Sequence, residues 1–101
     1  MPVDFRQSSI TIPAGIGRRT IPASVSFGSP VLRASVALNG FALDFAGNGV
    51  DHHINVVEAD TDLVSINGNR VNFQIQCQYA DKNFDDSYSG YVTALVIAEV
   101  A

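Results

Sequence analysis

The chain has 101 residues, which fits one domain and is enough to bury a core without disulfide or metal staples. Apolar residues make up 47% of it, which excludes a disordered segment, whereas charged residues make up only 16%, which is low for a solvated monomer. The low charge predicts that other subunits cover part of the surface. The net charge of -4, without a run of Lys or Arg, argues against nucleic acid as a partner.

Neither a signal peptide nor a membrane span is visible in the sequence. Residues 1–12 lack a basic region followed by an apolar run, and no stretch reaches the length of about 18 apolar residues that crosses a bilayer. We therefore expect no membrane insertion. The expected location is the bacterial cytoplasm or a phage particle, with release or display at a surface as a further option.

Apolar and polar residues alternate in most segments, which is the pattern of strands that have one buried face. The first such segment contains Ile10 and Ile12. Residues 1–19 are interpreted as an amino-terminal extension or edge strand, followed by one domain over residues 20–101. In the next segment Val25 and Phe27 alternate with serines.

The third alternating segment has Leu32, Ala34, Val36 and Leu38 on one predicted face. The dipeptide Asn39-Gly40 then separates it from the set formed by Phe41, Leu43 and Phe45, and this dipeptide predicts a hairpin turn. Three prolines, Pro13, Pro22 and Pro30, are expected in loops or at strand starts.

The clearest strand runs from Val71 to Tyr79. A turn at Gly47-Asn48-Gly49 precedes the segment that begins at Ile54, and Asn67-Gly68-Asn69 predicts a hairpin before Val71. Odd positions from 71 to 79 are apolar and even positions are amides without exception. Cys77 lies on the apolar face and is expected to be a small buried hydrophobe, since a lone cysteine forms no intrachain disulfide.

The last segment, Gly90 to Val100, is apolar on both faces. This pattern predicts a central strand that is covered on both sides. A helix over Thr93–Ala101 is the alternative, although no helix cap precedes it. Short strands with turn signals between them indicate an all-β sandwich or barrel.

The amide face of the clearest strand is the most informative feature for function. Asn72, Gln74, Gln76 and Gln78 form an uncharged polar row, whereas a strand that faces water usually carries charges that keep sheets apart. Such a row suits an interface between subunits, and we predict that it lies near a threefold contact. A polyhydroxylated ligand and an ordinary solvated face are the alternatives.

Few residues indicate catalysis or metal binding. His52 and His53 are neighbours whose side chains point to opposite faces of a strand, so no metal site is expected there. The acidic stretch at residues 81–86 lacks the spacing of a calcium loop and is interpreted as a solvated turn. No nucleophile–base–acid arrangement is visible, so we expect a protein that is not an enzyme and has no cofactor.

Residues 23–30, Ala-Ser-Val-Ser-Phe-Gly-Ser-Pro, resemble the V-x-F-x-x-P opening of H-type lectin domains. These domains are known from snail agglutinins and occur in bacterial and phage proteins. An apolar strand (Arg33 to Leu38), a strand with an aromatic residue and a cysteine (Phe73 to Asp81), and a closing strand (Gly90 to Val100) follow in the family's order. The resemblance covers about residues 20–100.

This resemblance implies a six-stranded antiparallel β-sandwich of immunoglobulin-like shape that assembles as a trimer or hexamer. It also implies a sugar site at the junctions between subunits, where the family uses an Arg, a Trp and a His. Asn55, Ala80 and Asp81 occupy those positions here, and the chain contains no Trp. Aromatic and acidic residues near the same loop are the substitutes for these groups: Tyr79, Asp85, Asp86 and Tyr88. In a plainer interpretation, Phe84 and Tyr88 anchor this loop to the core.

Two functions are therefore expected. The first is a lectin-like module that binds a glycan at subunit junctions, through Asn55, Tyr79, Asp81, Asp85, Asp86 and Tyr88. The second is a structural or assembly protein on the same scaffold without sugar binding, such as a component of a phage tail or fibre. The replaced Arg, Trp and His favour the second.

Overall fold

The computed structural model describes residues 2–45, 54–81 and 86–101. Its strands are β1 (Val3–Gly15), β2 (Arg19–Ser26), β3 (Val31–Phe45), β4 (Ile54–Asn67), β5 (Arg70–Asp81) and β6 (Tyr88–Val100). They form two three-stranded antiparallel sheets, in the orders β1–β6–β3 and β2–β5–β4, which pack against each other. The prediction of a six-stranded antiparallel β-sandwich is confirmed. No helix in these described ranges is long and apolar enough to cross a membrane.

The two central strands make the core. In β5 the odd positions from Val71 to Cys77 are buried, and in β6 the even positions from Val92 to Ala98 are buried. Since successive side chains of a strand point to opposite faces, each central strand sends one full row into the interior. The thiol of Cys77 is part of this row, which confirms its prediction as a buried hydrophobe.

The sandwich is long and narrow. Its principal extents are 52 × 18 × 17 Å, and its radius of gyration is 15.8 Å. A compact domain of about 100 residues has a radius of gyration of about 13 Å. With three strands in each sheet, four of the six strands are edge strands.

The amino-terminal residues form an edge strand of the sandwich. β1 pairs with β6 from the Val3–Glu99 pair to the Gly15–Tyr88 pair. Its Ile10 and Ile12 are part of the core. Residues Val3–Gly15 are therefore an edge strand of the β1–β6–β3 sheet.

The structure confirms one predicted hairpin turn and contradicts another. β4 ends at Asn67 and β5 begins at Arg70, with Gly68 between them at a φ of 60°. The hairpin predicted at Asn39-Gly40 is wrong, because β3 continues through the dipeptide and its register with β6 shifts there. Both halves of β3 pair with the same partner, so the extra residue is accommodated as a β-bulge. The turn predicted at residues 47–49 lies outside the described residues.

Bulges and edge positions account for two further differences from the sequence analysis. Leu32 lies at a second register shift of β3 and is exposed, so the predicted face from Leu32 to Leu38 is not continuous. Pro13 and Pro22 lie within β1 and β2 and not in loops. Both strands are sheet edges, where a residue without a backbone N–H is tolerated.

β6 forms the predicted central strand, and the alternative helix over Thr93–Ala101 does not form. The prediction that both of its faces are covered holds on one face only. The β2–β5–β4 sheet covers the inward row, whereas Leu95 and Ile97 are half-buried on the outer face and Tyr91 is exposed there.

Gly90 permits the close approach of β3 to β6. It has a φ of 154°, and a Cβ atom at this position would lie 1.8 Å from the carbonyl oxygen of Ala42. We expect Gly90→Ala to lower the free energy of unfolding by about 3 kcal/mol or more, because a backbone atom must move and the backbone conformation is unfavourable. Urea unfolding followed by circular dichroism measures this change.

Gly40→Ala is the matched control, because a Cβ at Gly40 meets no atom within 4 Å. We expect it to change the free energy of unfolding by about 1 kcal/mol or less. Equal effects of the two substitutions would contradict the contact between β3 and β6.

Candidate binding surfaces

Three of the predicted ligand residues lie at one end of the β2–β5–β4 sheet. The register of β4 with β5 shifts between Ile54 and Val56, so that Asn55 is the extra residue of a bulge. This bulge faces the end of β5, where Tyr79 and Asp81 lie. The backbone therefore brings these three positions together.

The described side chains at this end are packed. The Tyr79 ring stacks on Phe45 with 4.4 Å between ring centroids and meets the Tyr88 ring edge-on at 6.5 Å. Ala80, at the position where the resemblance places the Trp of the lectins, is buried and not open to a ligand. Asp86 is half-buried. The side chains of Asn55 and Asp81, and all of Asp85, lie outside the described residues.

Tyr88 is fully buried and its hydroxyl is engaged. The hydroxyl oxygen lies 2.7 Å from the carbonyl oxygen of Gly17 and 3.1 Å from that of Cys77, to which it donates. The Arg19 guanidinium lies 4.5 Å over the ring and donates to the Tyr88 carbonyl at 3.2 Å. Burial raises the pKa of the Tyr88 hydroxyl. The structure therefore places Tyr88 in the core, where it contacts Gly17, Cys77 and Arg19, and a ligand role for it stays a prediction.

The amide row lies on the outer face of the β2–β5–β4 sheet, and its four side chains are half-buried. Gln74, Gln76 and Gln78 pair with three acidic residues of β4, which are Asp62, Asp60 and Glu58. Asn72 donates to the Ser65 hydroxyl at 3.0 Å. The amides therefore lie beside a second row, made of carboxylates.

Arg18 links the two rows. Its guanidinium donates to both carboxylate oxygens of Glu58 at 2.8 and 2.9 Å, and to the side-chain oxygen of Gln76 at 3.0 Å. These hydrogen bonds lower the pKa of Glu58. Packing this face against the same face of another copy would bring several carboxylates together, which is unfavourable without further cations. The placement of the amide row at a threefold contact stays a prediction, and its surroundings also suit a polar ligand.

A shallow depression of about 210 Å³ lies at the other end of the molecule, on the outer face of the β1–β6–β3 sheet. Its lining residues are Val3, Arg33, Ala34, Ser35, Ile97 and Glu99. Arg33 and Glu99 form a salt bridge there, which raises the pKa of Arg33 and lowers that of Glu99. The depression is open, and the charges of Arg33 and Glu99 in it already compensate each other.

The two long edges of the sandwich differ in chemistry. At the edge formed by β1 and β2, the rows that point between the sheets include the charged residues Asp4, Arg6 and Arg19. At the edge formed by β3 and β4, which we name the open edge, the described inward side chains are all uncharged: Val31, Ala34, Val36, Leu38, Phe41, Leu43, Phe45, Val57, Ala59, Thr61, Leu63 and Ile66. Thr61 donates to the carbonyl oxygen of Val36 at 3.2 Å, so the two strands face each other directly.

The open edge exposes large apolar side chains. Leu38, Phe41, Val57 and Leu63 are 42–51% exposed, although each pairs with a residue of the inward row of a central strand. The sequence analysis identified strands here but missed this surface. Inward alternation predicts burial, whereas among the described residues no further strand covers this edge.

No group of three or more His, Cys, Asp or Glu among the described residues is placed to hold a metal ion. His52, His53 and residues 82–85 of the acidic stretch lie outside those residues. Comparisons with models of protein families, with curated proteins and with solved structures give no significant match. The resemblance to H-type lectins therefore rests on the sequence motifs alone.

The anchoring role of Tyr88 is testable by removing its hydroxyl. We expect Tyr88→Phe to lower the free energy of unfolding by about 1–3 kcal/mol, because the hydroxyl's single proton is no longer available to the carbonyl oxygens of Gly17 and Cys77. Thermal unfolding measures the change. Tyr91→Phe is the control, because Tyr91 is exposed, and we expect about 0.5 kcal/mol or less for it. A Tyr88→Phe protein as stable as this control would contradict the anchoring role.

Proposed function

We propose that this chain is a structural module that assembles with copies of itself and is not an enzyme. The observation that carries the proposal is the apolar surface of the described residues, where ten large hydrophobic side chains are 42–58% exposed. Single exposed apolar residues are ordinary, but here they accompany a charged fraction of only 16%. A component of a phage tail or fibre is one protein of this class.

The narrow shape of the sandwich also supports assembly. A rod with extents of 52 × 18 × 17 Å has most of its strands at an edge and little interior. Contact with other copies would cover strands that the sandwich itself leaves open, and it would add apolar burial to a thin core. The trimer or hexamer that the resemblance implies belongs to this proposal.

Light scattering coupled to size exclusion tests the proposal. We expect a mass of two or more times 10.8 kDa, and the resemblance implies a trimer or a hexamer. The mass should hold across dilution from about 100 to 1 μM, as expected for a dissociation constant below the micromolar range. A protein of 10.8 kDa throughout this range would contradict self-assembly.

A lectin-like module is the second candidate. The observation that favours it is the joint position of Asn55, Tyr79 and Asp81 at one end of the β2–β5–β4 sheet, next to Gln78 of the amide row. Amides and carboxylates that lie in rows offer the donors and acceptors that sugar hydroxyls need. Since Tyr88 is buried, Asn55 and Asp81 are the positions at this end where we test for a glycan site.

A glycan array on a sample of known mass tests the second candidate. We expect the double substitution Asn55→Ala with Asp81→Ala to weaken binding of any glycan hit by about tenfold or more, the usual effect of losing two hydrogen-bonding groups. Ser24→Ala, on the exposed side of β2, is the control and should bind as the unmodified protein does. An oligomer that binds no glycan on the array excludes this candidate and leaves the first intact.

A further inference from the structure

We propose that the open edge of the sandwich, formed by the inward rows of β3 and β4, packs against the same edge of another copy of this chain. The inference rests on the proposed function and names the surface through which the copies meet. It differs from the amide row, which lies on the outer face of the β2–β5–β4 sheet.

Four of the ten large apolar side chains that are exposed among the described residues lie along the open edge. Leu38 and Phe41 lie in the inward row of β3, Val57 and Leu63 lie in the inward row of β4, and each of the four is 42–51% exposed. They continue the core outward, since their cross-strand partners include Ala94, Val92 and Phe73, which are fully buried. An isolated chain would leave the side of its own core in water.

The opposite edge shows how this chain closes an edge that faces water. Asp4 and Arg6 point inward from β1 and form a salt bridge at 3.0 Å. The Arg6 guanidinium lies 4.9 Å over the Phe27 ring, and the Arg19 guanidinium covers Tyr88. Long cationic side chains cover apolar rings while their charged ends stay hydrated. The described inward positions of β3 and β4 contain no such group, so their apolar row suits a protein partner and not water.

The lack of charge on the described inward side chains of the open edge indicates that the partner is a second copy of the chain. None of its described inward side chains is charged, so the complementary surface must also be apolar and uncharged. Another copy supplies that surface with the same length. In addition, the outer faces carry the carboxylates of β4 and the Arg33–Glu99 pair, and both stay in water when the copies meet edge to edge.

The area is sufficient for a specific contact. Sheets in a sandwich lie about 10 Å apart, and the molecule is 52 Å long. The open edge therefore presents about 500 Å² per copy, and two copies bury about 1,000 Å², near the lower limit for specific interfaces. Three copies around one axis bury correspondingly more.

Leu38 is the position from which to test the contact. It is the middle residue of β3, so equivalent residues of two copies approach each other when the rods lie antiparallel with β3 against β3. We expect Leu38→Cys to form disulfide-linked dimers under mild oxidation, at a rate that does not change on dilution of the oligomer. The chain's own Cys77 is buried and does not compete. Non-reducing gel electrophoresis measures the product.

Phe5→Cys is the matched control, because Phe5 is apolar and 56% exposed but lies on the outer face of the β1–β6–β3 sheet. We expect its dimers to form about tenfold or more slowly and in proportion to protein concentration, as random encounters do. Crosslinking of Phe5→Cys as fast as that of Leu38→Cys would overturn the inference.

A charged side chain at position 38 gives a second test of the contact, one that does not depend on disulfide geometry. We expect Leu38→Asp to shift the mass to 10.8 kDa while the circular dichroism spectrum of the sandwich is retained, and Phe5→Asp to leave the oligomer intact. If the native protein is an oligomer but neither Leu38 variant differs from its Phe5 counterpart, the open edge is not the contact and the proposed function stands. If the native protein is a monomer, the contact at the open edge and the proposed function both fail.

Discussion

Two rows of buried side chains, one from β5 and one from β6, hold this sandwich together. Each row belongs to the strand that is central among the described strands of its sheet, and each is buried because strands on both sides of it exclude water. The interior is therefore one strand wide. Apart from Ile10, Ile12 and Val31, the inward side chains of the other four strands are only partly covered, and their environment determines what the surface of the molecule can do.

The chain covers two of these edge strands by itself. On β1 and β2, guanidinium groups lie over the rings of Phe27 and Tyr88, and the Tyr88 hydroxyl ties the turn at Gly17 to β5. On β3 and β4 the inward rows stay uncharged over the described positions and are partly exposed. The difference between the two edges is the physical basis for placing the contact with other copies on one of them.

Alternation predicted much of the fold from the sequence. Val71 to Tyr79 and Gly90 to Val100 were identified as strands, and the rows that point inward from them are the core. The failures are positions where β3 shifts its register, at Leu32 and at Asn39-Gly40. A bulge and a hairpin use the same residue types, and only the identity of the pairing partner separates them.

The candidate binding surfaces were less predictable than the fold. Aromatic and acidic residues in one segment suggested that Tyr88 contacts a ligand, but a tyrosine at the start of a strand has the same pattern whether it faces a ligand or the core. The exposure of Leu38 and Phe41 also has no signal in the sequence, since their alternation is that of buried residues. It depends on the number of strands in each sheet, which the alternation pattern does not specify.

Hydroxyl-radical footprinting of the unmodified protein tests the placement of the contact most directly. Phe41 on the open edge and Phe5 on the outer face of the β1–β6–β3 sheet are 42% and 56% exposed in a single chain, so an isolated sandwich would oxidise both at similar rates. If copies meet at the open edge, Phe41 is protected in the oligomer while Phe5 reacts freely. Equal oxidation of the two rings in a sample of oligomeric mass would contradict the account.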